Sequence, residues 1–228
     1  IAAGTKLSWY ENNGATNPSF SGADIETGIF FHSVKAKDLD KDGDLDIIAG
    51  SGNQIAWYEN DGTANPSFTK NVIDSTGGYG VDIADVDKDG DLDVIFASAN
   101  STIKWYKNNG ANDPSFSSVD IGSNLGSIRE VFLSDLDGDG DLDIASASND
   151  NNNSIRWHEN NGVDGNGNHN WTTTSVRNHS SAKWATDIRA EDIDGDGDLD
   201  LLATDQMDNS VRWYENNGAA NPSFNEVT

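Results

Sequence analysis

Apolar residues in this chain come in short alternating pieces, with no long runs and no helical stripes. Leu7 and Trp9, Ile55 and Trp57, Ile103 and Trp105, Ile155 and Trp157, and Val211 and Trp213 are each separated by a single residue. That spacing puts both side chains on one face of a strand. Each pair runs into a polar turn: Trp9-Tyr10-Glu11-Asn12-Asn13-Gly14 recurs, with small changes, from Trp57, Trp105, Trp157 and Trp213. Asn and Gly tolerate left-handed backbone and end the strand there. Asn-Pro-Ser-Phe or Asp-Pro-Ser-Phe follows in four units and holds all four prolines. Proline has no ladder donor and is tolerated where a strand begins, so Phe20, Phe68, Phe116 and Phe224 are expected to open the next strand. Upstream of the tryptophans, Ile47-Ile48-Ala49 and Val94-Ile95-Phe96 are short, apolar and partly β-branched, which also reads as strand.

The tryptophans stand 48, 48, 52 and 56 residues apart. A period of about 50 residues built from strand pieces is the signature of a propeller blade or another β-repeat. Each unit reads as four strands: a first (33–37, 81–84, 130–134, 186–191), a second from Asp46 to Gly50 and its equivalents, a third with the tryptophan, and a fourth opened by phenylalanine. The expected fold class is all-β, with β-propeller-type blades of four antiparallel strands in five repeat units, the first incomplete. The expected units of this single repeat domain are about 1–28 (partial), 29–76, 77–124, 125–182 and 183–228. Aligning Ile1–Trp9 with Ile47–Trp57 starts the chain inside a second strand, and Phe224–Thr228 ends it in a fourth. An exposed sheet edge is normally covered. The open end is therefore expected to be completed by a larger parent chain or by a neighbouring copy, the latter head to tail.

One acidic phrase of nine residues links the first and second strands of four units. It places Asp38, Asp40, Asp42, Asp44 and Asp46 in the first copy, and Asp85, Asp87, Asp89, Asp91 and Asp93 in the second. Asp135, Asp137, Asp139, Asp141 and Asp143 form the third, and Asp192, Asp194, Asp196, Asp198 and Asp200 the fourth. Five like charges so close together repel without a counter-ion. Calcium takes roughly six to eight oxygens in flexible geometry, which alternate residues of a tight loop can converge. Glycine at the sixth place (Gly43, Gly90, Gly140, Gly197) supplies the sharp turn. About four Ca²⁺ are expected, one per loop, held by side chains at places one, three, five and nine. Place seven is expected to contribute its backbone carbonyl. These are not EF-hands, because place twelve is Ala49, Phe96, Ser146 or Ala203 where that motif needs a glutamate.

An Asp-x-Asp-x-Asp-Gly-x-x-Asp loop repeated at blade spacing between two strands resembles the FG-GAP/VCBS repeat family, the integrin-α-like calcium-bound β-propellers. The resemblance runs from end to end of the chain. It implies an extracellular or cell-surface setting, with places one, three, five and nine as metal ligands. The Phe-Gly and Gly-Ala-Pro pieces that name the repeat are absent as such, which puts the chain on the VCBS-like side. Members of the family serve as adhesins, lectins, accessory domains of polysaccharide-degrading enzymes and some lyases, so the resemblance implies a fold more than an activity.

Composition narrows the partners. Net charge is −25, and 20 of the 39 acidic residues lie in the four loops. Four bound dications would leave the chain still strongly acidic, which argues against nucleic acid and anionic membrane. No apolar run approaches a membrane span. There is no cysteine, so calcium would be the staple. The start at Ile1, with neither Met nor a signal peptide, reads as a mature or excised product.

No constellation for nucleophilic or metal-dependent hydrolysis is present in the sequence, and the four histidines share no spacing. His158 takes the tyrosine's place in one repeat and is expected to be structural. The five tryptophans are expected between blades, with Trp57, Trp105, Trp157 and Trp213 mostly buried and Trp9 less covered. The Tyr, Glu and Asn that follow them are better placed as ligand candidates. One unit breaks the pattern: it inserts residues 163–170, replaces Pro-Ser-Phe with Asn170-Trp171-Thr172, and adds Arg177, His179, Lys183 and Trp184. Insertions in repeats map to loops, often on a binding face. Trp171, Trp184 and the 164–170 loop are expected at the surface. The expected function is a non-catalytic, calcium-stabilised extracellular module for adhesion or for binding a glycan or surface protein. The alternatives are a structural subunit of an extracellular filament or sheath, and an accessory domain of a polysaccharide-degrading enzyme.

Overall fold

The computed structural model describes residues 4–149, 154–165, 168–177, 184–207 and 209–227. A partial first blade pairs β1 (Lys6–Asn12) with β2 (Phe20–Thr27). The second blade is β3 (Phe31–Lys37), β4 (Asp46–Ser51), β5 (Ile55–Asn60) and β6 (Phe68–Asp74). The third is β7 (Gly78–Ala84), β8 (Asp93–Ser98), β9 (Thr102–Asn108) and β10 (Phe116–Asp120). The fourth is β11 (Ile128–Ser134), β12 (Asp143–Ser148), β13 (Ile155–Val163) and β14 (His169–Arg177). The fifth is β15 (Ala185–Glu191), β16 (Asp200–Asp205), β17 (Ser210–Asn216) and β18 (Phe224–Val227). Within each blade the strands pair antiparallel in chain order, so the all-β, four-stranded-blade architecture with an incomplete first unit is the one observed. The phenylalanines open the fourth strands as expected. The first strands begin one to three residues earlier than the alternation indicates, because each carries a bulge near its start, such as Phe31/Ser33 and Gly78/Val81. A bulge breaks the two-residue period.

Strand alternation gives each blade two different faces. Ile48, Ile55 and Trp57 form one, and it packs on Val81, Ile83, Val94, Phe96 and Tyr106 of the following blade. Ile95, Ile103 and Trp105 meet Ile128, Val131 and Ile144 in the same way. Ala145, Ile155 and Trp157 meet Ile188, Leu201 and Tyr214. Trp57, Trp105 and Trp157 are each 1 % exposed, so they are core, and aromatic side chains of this size dominate such interfaces. Trp213 departs from the expectation: it is only half-buried, like Trp9. Among the described residues no later blade covers its face.

A repeated asparagine clamps each complete blade to its own loop, and in the third and fifth blades to the preceding blade as well. The Asn216 amide donates to the carbonyls of Leu199 (3.1 Å) in its own blade and Leu136 (2.9 Å) in the preceding one, while its oxygen accepts the Gly218 N–H. Asn108 does the same with Leu92, Leu39 and Gly110. Tyrosine adds a second inter-blade tie: the Tyr106 hydroxyl donates to Asp74 (2.7 Å), and that of Tyr58 donates to Glu26.

Candidate metal loops and inter-blade clefts

The four acidic loops share one geometry. In the first, the Asp38 carboxylate accepts the Gly43 N–H, Asp40 accepts that of Asp42, and Asp42 accepts that of Asp44. Gly43 has φ 101°, in the left-handed region that glycine adopts without strain. Place four is left-handed as well: Gly138 and Gly195 occupy it in two loops, but Lys41 (φ 65°) and Lys88 (φ 60°) in the other two. The result is convergence of places one, three and five. One carboxylate oxygen from each lies within 4.8 Å of the others in Asp38/Asp40/Asp42, Asp85/Asp87/Asp89, Asp135/Asp137/Asp139 and Asp192/Asp194/Asp196. Oδ1 of Asp38, Asp85 and Asp135 is buried with no hydrogen-bond partner. A buried carboxylate oxygen left bare is costly. An all-oxygen triad aimed at one point fits a hard dication such as Ca²⁺.

Place nine also bonds the backbone. Asp46 is buried, and its two oxygens accept the N–H groups of Leu39 (3.0 Å) and Asn60 (2.9 Å). Asp93, Asp143 and Asp200 repeat the arrangement with Asn108, Asn160 and Asn216. These carboxylates pin the loop to the third strand and are not among the converging triads. Burial pushes Asp93 up to about 6 and Asp143 up to about 7, against the amide bonds that lower them. A cation on the neighbouring triad would offset that rise. Each oxygen keeps further acceptor capacity toward it.

Place seven turns its side chain to other partners. Lys41 pairs with Asp91, and Lys88 with Asp141 (2.6 Å), so place four of one loop reaches place seven of the next. Asp44, Asp91 and Asp198 also lie where a Cβ on Gly62, Gly110 or Gly218 would have to sit. All five glycines that end a Trp phrase, Gly14 and Gly162 included, have φ between 62° and 68°, the left-handed region that glycine adopts without strain.

The third strand adds a group that the loop motif does not reveal. Glu159 follows Trp157-His158, and its carboxyl is pushed up by burial and by Asp137 and Asp139. In the third blade the same position is Lys107, which pairs with Asp87 and lies 3.8 Å from Asp89. One acidic loop thus carries its own ammonium.

Two pairs of successive blades, the third with the fourth and the fourth with the fifth, leave a cleft beside the acidic loops. One, about 270 Å³, is lined by Asp135, Leu136, Asp137 and Gly138 on one blade and by Asp198, Asn216, Gly218 and Ala219 on the next. Its counterpart, about 130 Å³, has Val86, Asp87 and Lys88 facing Asp141, Asn160, Gly162 and Val163. Much of the two walls corresponds, Asp87 to Asp137, Asp141 to Asp198, Asn160 to Asn216 and Gly162 to Gly218, and Lys88 stands where the wider cleft has Gly138. His169 also lines the smaller cleft and continues into an adjoining one with Trp105, Lys107, Val119 and Asn168.

Several expected ligand candidates are structural. Asn108, Asn216, Tyr58 and Tyr106 are committed to blade docking, as described. His158 is buried between the Ser146 and Thr173 hydroxyls (2.9 Å each), and burial lowers it to about 3, so it is neutral. Trp171 was expected at the surface. Instead it pairs with Asn160, as Phe68 pairs with Asn60, and packs half-buried on the Trp105 cluster. It substitutes for the missing phenylalanine one position earlier than the sequence alignment suggests. Trp184 is half-buried; Asp164, Gly165, Asn168 and Asn170 are exposed. Residues 166–167, His179 and Lys183 lie outside the described residues, and for Arg177 only the backbone is described.

The chain is similar in fold to a solved structure of an Agrocybe aegerita lectin that recognises non-reducing terminal N-acetylglucosamine. The TM-score is 0.62 at 18 % identity, with 99 % of this chain and 61 % of that one covered. This chain therefore spans about three-fifths of that lectin's length. No curated protein sequence matches it. The FG-GAP-like repeat model matches residues 38–96, 85–146 and 135–203, each match running from one acidic loop to the strand after the next. By its loops, its blades and this match across most of its length, the chain belongs to the FG-GAP-like repeat family.

Proposed function

We propose that this chain is a calcium-stabilised, non-catalytic, extracellular propeller module that binds glycan in the clefts between successive blades. The observation that carries the reading is the repeated cleft itself. It is walled by loop carboxylates on one side and by an Asn-Gly turn on the other, polar groups that suit sugar hydroxyls. The lectin of similar fold supports a sugar ligand and suggests the first probe, a glycan ending in N-acetylglucosamine. Asp38, Asp40 and Asp42, and their counterparts in the other loops, would hold Ca²⁺, with place nine beside them. The ion supplies charge neutralisation that lets five carboxylates share one turn.

Gly138→Lys tests the assignment. It copies Lys88 into the wider cleft at a place where lysine already tolerates the left-handed backbone, at a cost of roughly 1–2 kcal/mol. Saturation-transfer NMR with an N-acetylglucosamine-terminated oligosaccharide should lose its signal in Gly138→Lys while the melting temperature stays near that of the parent. Unchanged sugar contact would remove the cleft from consideration.

A further inference from the structure

The junction of the third and fourth blades differs from the rest in sequence. The third blade carries Lys107 where Glu11, Glu59, Glu159 and Glu215 stand elsewhere, and the fourth blade carries the 163–170 insertion. The fold brings these two departures together. Beside the smaller cleft lies a hollow of about 180 Å³, lined by Trp105, Lys107 and Val119 of the third blade and by Asn168 and His169 of the insertion. That volume holds roughly six waters, room for one sugar residue.

Each wall offers a different chemistry. Val119 pairs with Trp105 across the strands and is 39 % exposed, so the third-blade wall is apolar. His169 meets the Trp105 ring at right angles, with centroids 4.5 Å apart. Its Nδ1 is buried with no hydrogen-bond partner. Burial and Lys107 hold the imidazole below its ordinary pKa, so the ring is neutral at pH 7 and has one donor and one acceptor nitrogen. Asn168 adds an exposed amide. The Lys107 ammonium lies 5.9 Å from the Trp105 ring centre and reaches Asp87 and Asp89, so it stands between the acidic loop and the hollow. A dication held by Asp85, Asp87 and Asp89 would take those same oxygens and leave the ammonium to another anion.

We infer that this hollow binds an acidic sugar, a uronic acid residue whose carboxylate pairs with Lys107 while His169 and Asn168 take its hydroxyls. An apolar wall for the C–H face, neutral polar groups for hydroxyls and one cation for the carboxylate are the features such a residue requires. The inference rests on the chain being a glycan-binding module. It is independent of the wider cleft, which among the described residues is lined by neither a cation nor an aromatic ring.

Saturation-transfer NMR titrations of the calcium-loaded chain test it with two probes of the same linkage, a disaccharide ending in glucuronic acid and one ending in glucose. The acid should bind at least about tenfold more tightly, the worth of one charge-assisted hydrogen bond. Lys107→Met keeps an unbranched stem and removes the charge, and it should bring the acid down to the level of the neutral probe. His169→Phe keeps a ring beside Trp105 but no nitrogen, and it should weaken both probes. Melting temperatures near that of the parent show that the variants fold. Gly138→Lys, in the other cleft, should leave glucuronate binding intact, and Lys107→Met should leave the signal of the N-acetylglucosamine-terminated probe intact, so the two sites fail separately. Equal binding of acid and neutral probes, no binding of the acid, or acid binding that survives Lys107→Met would overturn the inference.

Discussion

Lys107→Glu isolates the electrostatics of a single loop. Three of the four complete units place glutamate after Trp-Tyr or Trp-His, and Glu159 shows that this side chain faces the converging aspartates. Lys107 instead directs an ammonium at Asp87 and Asp89, where it competes with a cation for the same oxygens. Unit charges about 4 Å apart interact by about 1 kcal/mol in water and about 4 kcal/mol at an effective dielectric of 20. The Lys107 side chain is 39 % exposed, so the lower figure applies. Repulsion of a dication doubles it to about 2 kcal/mol, or about 30-fold in affinity. Calorimetric titration of metal-stripped protein with Ca²⁺ should resolve a weaker class of sites in the parent, and Lys107→Glu should bring that class into line with the rest. Lys107→Met should recover part of the gap, separating removal of the charge from addition of a ligand. A parent with uniform sites, or a Lys107→Glu variant with no tightening, would refute the reasoning.

Other perturbations follow from the same geometry. Stripping metal with a chelator should lower the melting temperature markedly, because a ligand bound only by the folded state stabilises it by mass action; an unchanged melt argues against structural calcium. Asn216→Ala removes three hydrogen bonds at the junction of the last two blades, and denaturant titration should show a loss of roughly 2–4 kcal/mol. Burial pushes Glu130 up to about 7 from 4.5, so the folded state holds its proton more tightly than the unfolded one. That contribution is complete below about pH 4.5, fades as pH rises to about 7 and is at most roughly 3 kcal/mol; Glu130→Gln should flatten this part of a stability–pH curve. His158 has the opposite sign: held down to about 3, it makes the protein lose stability as pH falls below about 6.5, and His158→Phe should be less acid-labile in stopped-flow unfolding.

Much of this was legible from repetition. Alternating pairs such as Ile55/Trp57 and the proline before each phenylalanine gave the strand order, because both reflect local backbone rules. The acidic loops revealed the converging triads for the same reason. What the pattern could not show depends on neighbours. Trp213 has the same sequence environment as Trp157, yet its burial requires a further blade. Asn216 looks like a surface turn residue until the Leu136 carbonyl of the preceding blade comes within reach. Trp171 aligned poorly because the 163–170 insertion shifts the register, and only strand pairing with Asn160 shows which residue it replaces. Place nine read as a metal ligand by its spacing, while the folded chain gives its oxygens first to backbone amides that lie 7 and 14 residues away in the first loop.

A glycan array is the sharpest test of the proposed calcium-held, sugar-binding clefts. The calcium-loaded chain should bind a defined set of glycans, with N-acetylglucosamine-terminated structures the first to examine, and the signal should vanish in chelator and return when Ca²⁺ is restored. An array that stays dark with calcium present, or binding that persists unchanged in chelator, would contradict that proposal.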